Sequence, residues 1–417
     1  MRLPDYIALQ GVYGETEKSH VRFAELAENY CRCFGKEQME FFSAPGRTEI
    51  IGNHTDHNGG MVLAASIDLD TIGAAFPNES GKIELVSEGY EGKIVVNVAD
   101  AEKFPTGQGT ESLVAGMVAA MKKFGYRVSG FSAYIATNVI SSAGVSSSAS
   151  FEMLFCSMVN YFFNEGKLTD VAYAEIGQYA ENYYWNKDSG LMDQMACAVG
   201  GTVLFDFSSH AAYQKIDFDF EEFGYNLVIV NTGKGHANLS REYSEIPLEM
   251  KEMAEKLGVS KLVDSNLQSL LEVIKKAEKS IANDRAILRA LHFFQENSRV
   301  SEAAEAIREK DSTSLLQLIN ASGKSSWELL QNCYSAANWK EQKVTLCLAL
   351  TELFLKEKGD GVCRVHGGGF AGVILSVLPN HCTEAYIRYI ASFVGRENVY
   401  PLKIRKAGAI HLEKREH

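Results

Sequence analysis

One arginine, two histidines, an aspartate, two asparagines and four glycines crowd into Ala44–Gly60, APGRTEIIGNHTDHNGG. Glycine lets backbone approach a ligand, and polar side chains at such turns are more often exposed to ligand or water than folded into a core. A generic loop accounts for the glycines and the Asn58-Gly59 turn, but not for this order of residues. A second stretch, Ser141–Ser150 (SSAGVSSSAS), lies between an apolar strand and the apolar run FEMLFCSMVNYFF. Free N–H groups at a helix start favour an anion, and serine hydroxyls can add donors or ligate Mg²⁺. It is not a Walker loop, and a serine-rich linker is the alternative. Asp193 stands in the apolar setting of GLMDQ (Gly190–Gln194), where a carboxylate needs a partner. A helix N-cap is the plainer reading of it. The glycine cluster Gly361–Gly372 suits either close backbone approach to a ligand or a tight hairpin.

The elements that must position these groups follow from periodicity. Helical spacing is expected over 20–36, Gly109–Phe124, the run after Ser150, and Asp170–Tyr184, which ends near Glu181. Strands are expected at Thr48–Ile51, Met61–Asp70, Thr71–Phe76, Ile83–Val86, Lys93–Val98, Phe131–Ile140, Thr202–Phe207 and Tyr225–Asn231. Ser244–Lys358 is mostly helical, with amphipathic runs at 246–257, 265–280, 284–296, 301–309 and 344–357 and no sustained heptads. Val373–Val377 and Tyr400–Ile404 read as strands flanking a helix at Glu384–Val394.

A chain of 417 residues is expected to hold two domains, since single cores stop growing at roughly 250–300 residues. Hydrophobic residues make up 46% and prolines number only 7, which fits a packed globular protein. The net charge of −12 argues against nucleic-acid and membrane-surface roles. It does not exclude ATP, because local N–H groups and Mg²⁺ screen phosphates. The N-terminus has no signal pattern, and no run of about eighteen apolar residues occurs. Eight cysteines without CxxC pairs suggest buried free thiols, and hence a cytoplasmic protein.

Ala44–Gly60 closely resembles the signature of the galactokinases among the GHMP small-molecule kinases, whose usual form is GRVNLIGEHTDYNGG. Ser141–Ser150 resembles the family's second motif, PxGxGLSSSAS, with Ile140 for proline and Ser142 for glycine. GLMDQ is similar to the family's CGIMDQ, with Ser189 for cysteine. The Gly361–Gly372 cluster resembles the third motif, R-M-T-GGGF-GG, with His366 for threonine and Ala371 for glycine. These matches span about residues 20–410.

The resemblance implies an α/β (α+β) two-lobed GHMP kinase fold with the active site between the lobes. Residues 1–207 would form the N-terminal lobe and 208–417 the C-terminal lobe. The implied reaction is transfer of the ATP γ-phosphoryl to the anomeric hydroxyl of galactose or a similar sugar. Asp193 would be the catalytic carboxylate, with Arg47 beside it. Asn53, His54, Asp56, Gly190 and Tyr243 would meet the sugar, and Ser142, Gly144, Ser146, Ser147 and Ser148 the nucleotide. Ser147 and Glu181 would hold Mg²⁺. The expected partner is a small-molecule sugar, with no nucleic acid and no membrane, and the chain is expected to be a monomer or weak dimer.

Asn53 replaces the signature glutamate, which in the family accepts a hydrogen bond from the sugar's 6-hydroxyl. That change opens the alternative of galacturonate or another C6-modified sugar, with His57 adding positive charge nearby. A sugar- and ATP-binding sensor without catalysis is a second alternative, suggested by Ser142, His366 and Ala371.

Overall fold

The computed structural model describes residues 3–141, 144–187, 189–209, 212–233, 240–276, 283–370 and 372–413. Its larger sheet holds β1 (Glu40–Ile51), β2 (Met61–Pro77), β3 (Lys82–Ser87), β4 (Ile94–Asn97), β5 (Phe131–Thr137), β6 (Thr202–Asp206), β7 (Ala212–Ile216) and, from the far end of the chain, β12 (Ile410–Leu412). Strands run in the order β12-β1-β2-β5-β3-β4, and β6 joins β2 and carries β7. All pairs are antiparallel except β3 with β5. The smaller sheet has β8 (Tyr225–Asn231), β9 (Val362–Val365), β10 (Val373–Pro379) and β11 (Val399–Leu402) in the order β11-β8-β10-β9.

Alternation along the large sheet explains how both its faces are buried. Phe42, Ala75 and Ala133 face a core made with α3 (Thr110–Lys123), α4 (Ser147–Phe163) and α5 (Asp170–Tyr183). Their neighbours Phe41, Ala74 and Tyr134 face α1 (Tyr6–Tyr13) and α2 (Glu17–Phe34) instead. Near-continuous apolar strands are the consequence, so β2 runs unbroken where two strands are expected from the sequence. The short helix α6 (Met192–Val199) packs on β1 and β2 and brings Asp193 beside the start of α4.

The helix-rich part comprises α7 (Ser240–Lys256), α8 (Leu267–Lys276), α9 (Asp284–Arg308), α10 (Ser312–Ser325), α11 (Lys343–Lys358) and α12 (Thr383–Val394). The expected runs 284–296 and 301–309 are one helix, because Val300 between them is buried and keeps the apolar face continuous. α10 lies outside the expected runs. It starts where Asp311 accepts from Ser314 N at 3.0 Å and buries Leu315, Leu316 and Ile319.

The lobes are not consecutive halves of the chain. The β6–β7 hairpin straddles the 207/208 boundary, and β12 pairs with Phe41–Ser43 of β1. A single apolar cluster also joins Ile50 and Leu63 of the large sheet to Ile229 and Leu375 of the small one and to Val300 of α9.

Candidate active site

A cleft of about 1200 Å³ opens over β1, β5 and the start of α4. Arg47, His54, His57, Gly144, Ser146, Ser147, Ser148, Asp193 and Tyr243 line one end of it. Its other end is apolar, with Leu85, Ile94, Leu113, Ile135, Phe151 and Trp185. Motif reading missed this apolar end, because its residues are scattered over three strands, two helices and a loop.

Arg47 follows a register irregularity in β1, and each nitrogen of its guanidinium makes a hydrogen bond. Nε and Nη2 donate to Asp193 Oδ1 at 2.8 and 2.6 Å, and Nη1 donates to Gly144 O. Asp193 Oδ2 accepts from Ser146 Oγ at 2.7 Å. Burial alone would raise the Asp193 pKa, but the Arg47 and Lys187 charges and the Ser146 hydroxyl hold it below the ordinary carboxylate value. The carboxylate is therefore ionised and 29% exposed, at the surface of the cleft. It is not an N-cap: Leu191 caps α6, and no side-chain capping bond forms there.

Ser146 adopts φ +61°, in the left-handed region, and turns the chain sharply into α4. The first N–H groups of that helix thus start at the cleft, beside Asp193. Ser147, its first residue, lines the cleft, but Ser148 is the serine that reaches Glu181. Ser148 Oγ donates to Glu181 Oε1 at 2.9 Å. Successive helical residues point about 100° apart, so the Ser147 and Ser148 hydroxyls leave the helix in different directions. Ser142 and Ala371 lie outside the described residues.

Glu181, in the last turn of α5, is fully buried yet well supplied with donors. Its Oε2 accepts from Ser189 Oγ and from Gln194 Nε2 (3.1 Å), and Lys187 Nζ lies 2.5 Å from Oε1. Gln194 Nε2 also donates to Glu152 Oε2 at 3.1 Å. Burial and the neighbouring Glu181 push Glu152 well above the ordinary carboxylate value, so Glu152 is held neutral. Hydroxyl and carboxylate oxygens are what Mg²⁺ takes, and the ammonium of Lys187 stands as a cation at that spot. Among the described residues no group of three or more His, Cys, Asp or Glu side chains comes together as a metal cluster.

On the signature loop, His54 (φ +59°) donates Nε2–H to Gly368 O at 3.1 Å. Burial and then the nearby His57 lower its pKa to about 3, so it is neutral. Asp56 abuts Gly190, where a Cβ would collide with its carboxylate. Tyr243 packs its ring on Gly368, donates to Gly369 O at 2.9 Å and meets Phe370 edge-on. The Gly367–Gly369 turn joins β9 to β10, so the hairpin reading of this cluster holds. Its carbonyls are spent on Asn53, His54 and Tyr243.

Asn53 is the clear correction. Its side chain is 0% exposed and fully used inside the protein. Nδ2 donates to Glu49 Oε1 (3.1 Å) and Gly367 O (2.8 Å), while Oδ1 accepts from Asn332 Nδ2 (2.8 Å) and Ser326 Oγ (3.3 Å). It faces no cleft, so it supplies no ground for a C6-modified sugar. The signature form has asparagine at position 49 and glutamate at position 53; here the two types are exchanged, and the exchanged side chains bond each other. Glu49 then pairs with Arg364 Nη2 at 2.9 Å. His366 is equally internal, bonding Thr48 Oγ1 (3.0 Å) and Glu49 N (3.2 Å) through Nε2. The signal for all this was present in Glu49, a carboxylate in an apolar strand.

Residues 28–77 match the galactokinase galactose-binding signature, and residues 112–201 match the GHMP kinases N terminal domain. A Clostridium tetani galactokinase is 30% identical over 290 residues, covering 69% of this chain and 73% of that protein. A Staphylococcus carnosus galactokinase is 31% identical over 340 residues, 80% of this chain and 84% of the relative. The crystal structure of Lactococcus lactis galactokinase complexed with galactose superposes with a TM-score of 0.81 at 26% identity, covering 93% of this chain and 99% of that one. Methanococcus jannaschii mevalonate kinase shares the fold, with a TM-score of 0.60 at 15% identity over 88% of this chain and 99% of its own. Among the described residues no helix is long and apolar enough to cross a membrane. The chain belongs to the galactokinase family of GHMP kinases.

Proposed function

We propose that the chain transfers the γ-phosphoryl group of ATP to the anomeric hydroxyl of galactose. The observation that carries this reading is the ionised Asp193, clamped by Arg47 and Ser146 beside the start of α4. Asp193 orients the sugar hydroxyl and takes its proton as the oxygen attacks phosphorus. Arg47 keeps that carboxylate ionised before the attack and in the right orientation during it. The N–H groups at the start of α4 hold phosphate oxygens, and the apolar end of the cleft receives the nucleotide base.

Ser148 and Glu181 would hold Mg²⁺, which supplies charge neutralisation on the phosphates when bound. Asp56 accepts hydrogen bonds from sugar hydroxyls, Gly190 leaves it room, and His54, His57 and Tyr243 wall the sugar. Coupled ADP release with ATP, Mg²⁺ and a panel of galactose, galacturonate, N-acetylgalactosamine, arabinose and glucose tests the assignment. Galactose is expected to give the highest kcat/KM. Preference for another sugar of the panel would overturn the substrate, and no ADP release with any of them would overturn the reaction.

A further inference from the structure

Lys187 is a cation of the cleft whose charge helps to hold Asp193 ionised and to which the scheme above gives no contact with substrate. It follows α5 directly, its backbone N–H bonded to Glu181 O at 3.0 Å. Its ammonium sits 2.5 Å from Glu181 Oε1 and 3.4 Å from Ser148 Oγ, the two oxygens offered to a divalent ion. Glu181 is wholly buried, whereas 45% of the Lys187 side chain stays exposed to the cleft. The arm is therefore anchored at its tip and free along its length.

Two cations cannot share that pair of oxygens. A divalent ion arriving with the nucleotide has the higher charge and the harder preference for oxygen, so the ammonium must leave. Lysine can do so, because its charge is a point on a flexible stem. Lys187 lines the same cleft as Ser146, Ser147 and Asp193, so the transferring group is within the space its arm faces. Arg47 gives three of its five N–H donors to Asp193 and Gly144, which holds that guanidinium against the carboxylate and the loop.

We propose that Lys187 is a phosphate-binding residue of the transfer site, seated on Glu181 in the empty enzyme and moved onto the γ-phosphate when a divalent ion takes the Ser148–Glu181 position. The proposal rests on the kinase reading above. During transfer the bond from γ-phosphorus to the β–γ bridging oxygen breaks and a bond to the sugar oxygen forms. The hydroxyl proton goes to Asp193, and Lys187 keeps its own proton throughout. The ammonium acts only by placing positive charge beside the phosphoryl group.

Lys187→Met and Lys187→Arg test this. Calorimetry without sugar is expected to show that Lys187→Met lowers the ATP-over-ADP affinity ratio by about tenfold, the loss of one charge-assisted contact. The free Mg²⁺ needed to half-saturate ADP binding should fall, because the competing ammonium is gone. In turnover, kcat should drop by about 10²-fold, and Lys187→Arg should recover part of both kcat and the affinity ratio. An unchanged ATP-over-ADP ratio, or a Mg²⁺ requirement that rises because Lys187 merely props Glu181, would overturn the proposal. Both binding readouts are independent of sugar, so a wild type that binds MgATP but turns over no sugar counts against the kinase reading alone.

Discussion

At the scale of single residues, the arrangement turns on how Asp193 is partnered. Two nitrogens of Arg47 take one oxygen and Ser146 takes the other, so the group is ionised and fixed without being sealed from the cleft. Asp193→Ala should cut kcat by at least about 10³-fold while galactose binding, followed by calorimetry, changes little. A variant with kcat within tenfold of wild type would show that another group takes the proton. Arg47 and Asp193 stand 146 positions apart, and motif reading named both because each sits in its own run of unusual residues. Ser147 and Ser148 are indistinguishable in a run of serines, and only the phase of α4 decides which one meets Glu181. Asn53 looked like a specificity change until its contact with Glu49 showed that a carboxylate and an amide had traded places.

At the scale of elements, the site depends on segments that approach too closely for side chains. The start of β1 is flanked by β12, and the segment leading into β12 crosses the end of α6. There a Cβ on Gly408 would collide with Ala198 O, and one on Gly200 (φ +80°) would collide with Gly408 N. Gly408→Ala should therefore push the C-terminal strand off β1 and destabilise the fold by about 1–3 kcal/mol, read as a lower urea midpoint. An unchanged midpoint would mean that the crossing relaxes freely. Long apolar elements such as α3, α4 and β5 were legible in the sequence. The short strands β7, β9 and β12 were not, since three to five residues carry little period and exist because a partner strand is already there. The same holds for the apolar end of the cleft, which tertiary packing alone assembles.

For the molecule as a whole, buried histidines couple folding to pH. His54, His292 and His366 all have lowered pKa values, burial being the first cause in each, and His54 falls to about 3. The unfolded chain binds protons at these sites below about 6.5, while the folded chain does not. Stability therefore falls as pH drops below about 6.5, by up to about 1.4 kcal/mol per pH unit for each histidine; for His54 the loss levels off near 3. Glu296 adds to this from about 4.5 down to its folded value of about 2. Burial opposes its ionisation, but His292, Arg364, Arg299 and Ser322 outweigh that effect. Thermal melts should show a plateau at neutral pH and a steady decline below about 6.5; a flat Tm down to pH 5 would mean that the histidines are protonated in the folded state. These groups lie in the same buried network that holds the signature loop against α9 and the Gly367–Gly369 turn. Whether the anomeric oxygen is the one phosphorylated can be read by ³¹P NMR of a reaction containing enzyme, ATP, Mg²⁺ and galactose. One phosphomonoester signal, coupled to the anomeric proton, is expected to grow mole for mole with ADP. ADP that accumulates with inorganic phosphate instead, or a phosphoester coupled to any other ring or methylene proton, would contradict it.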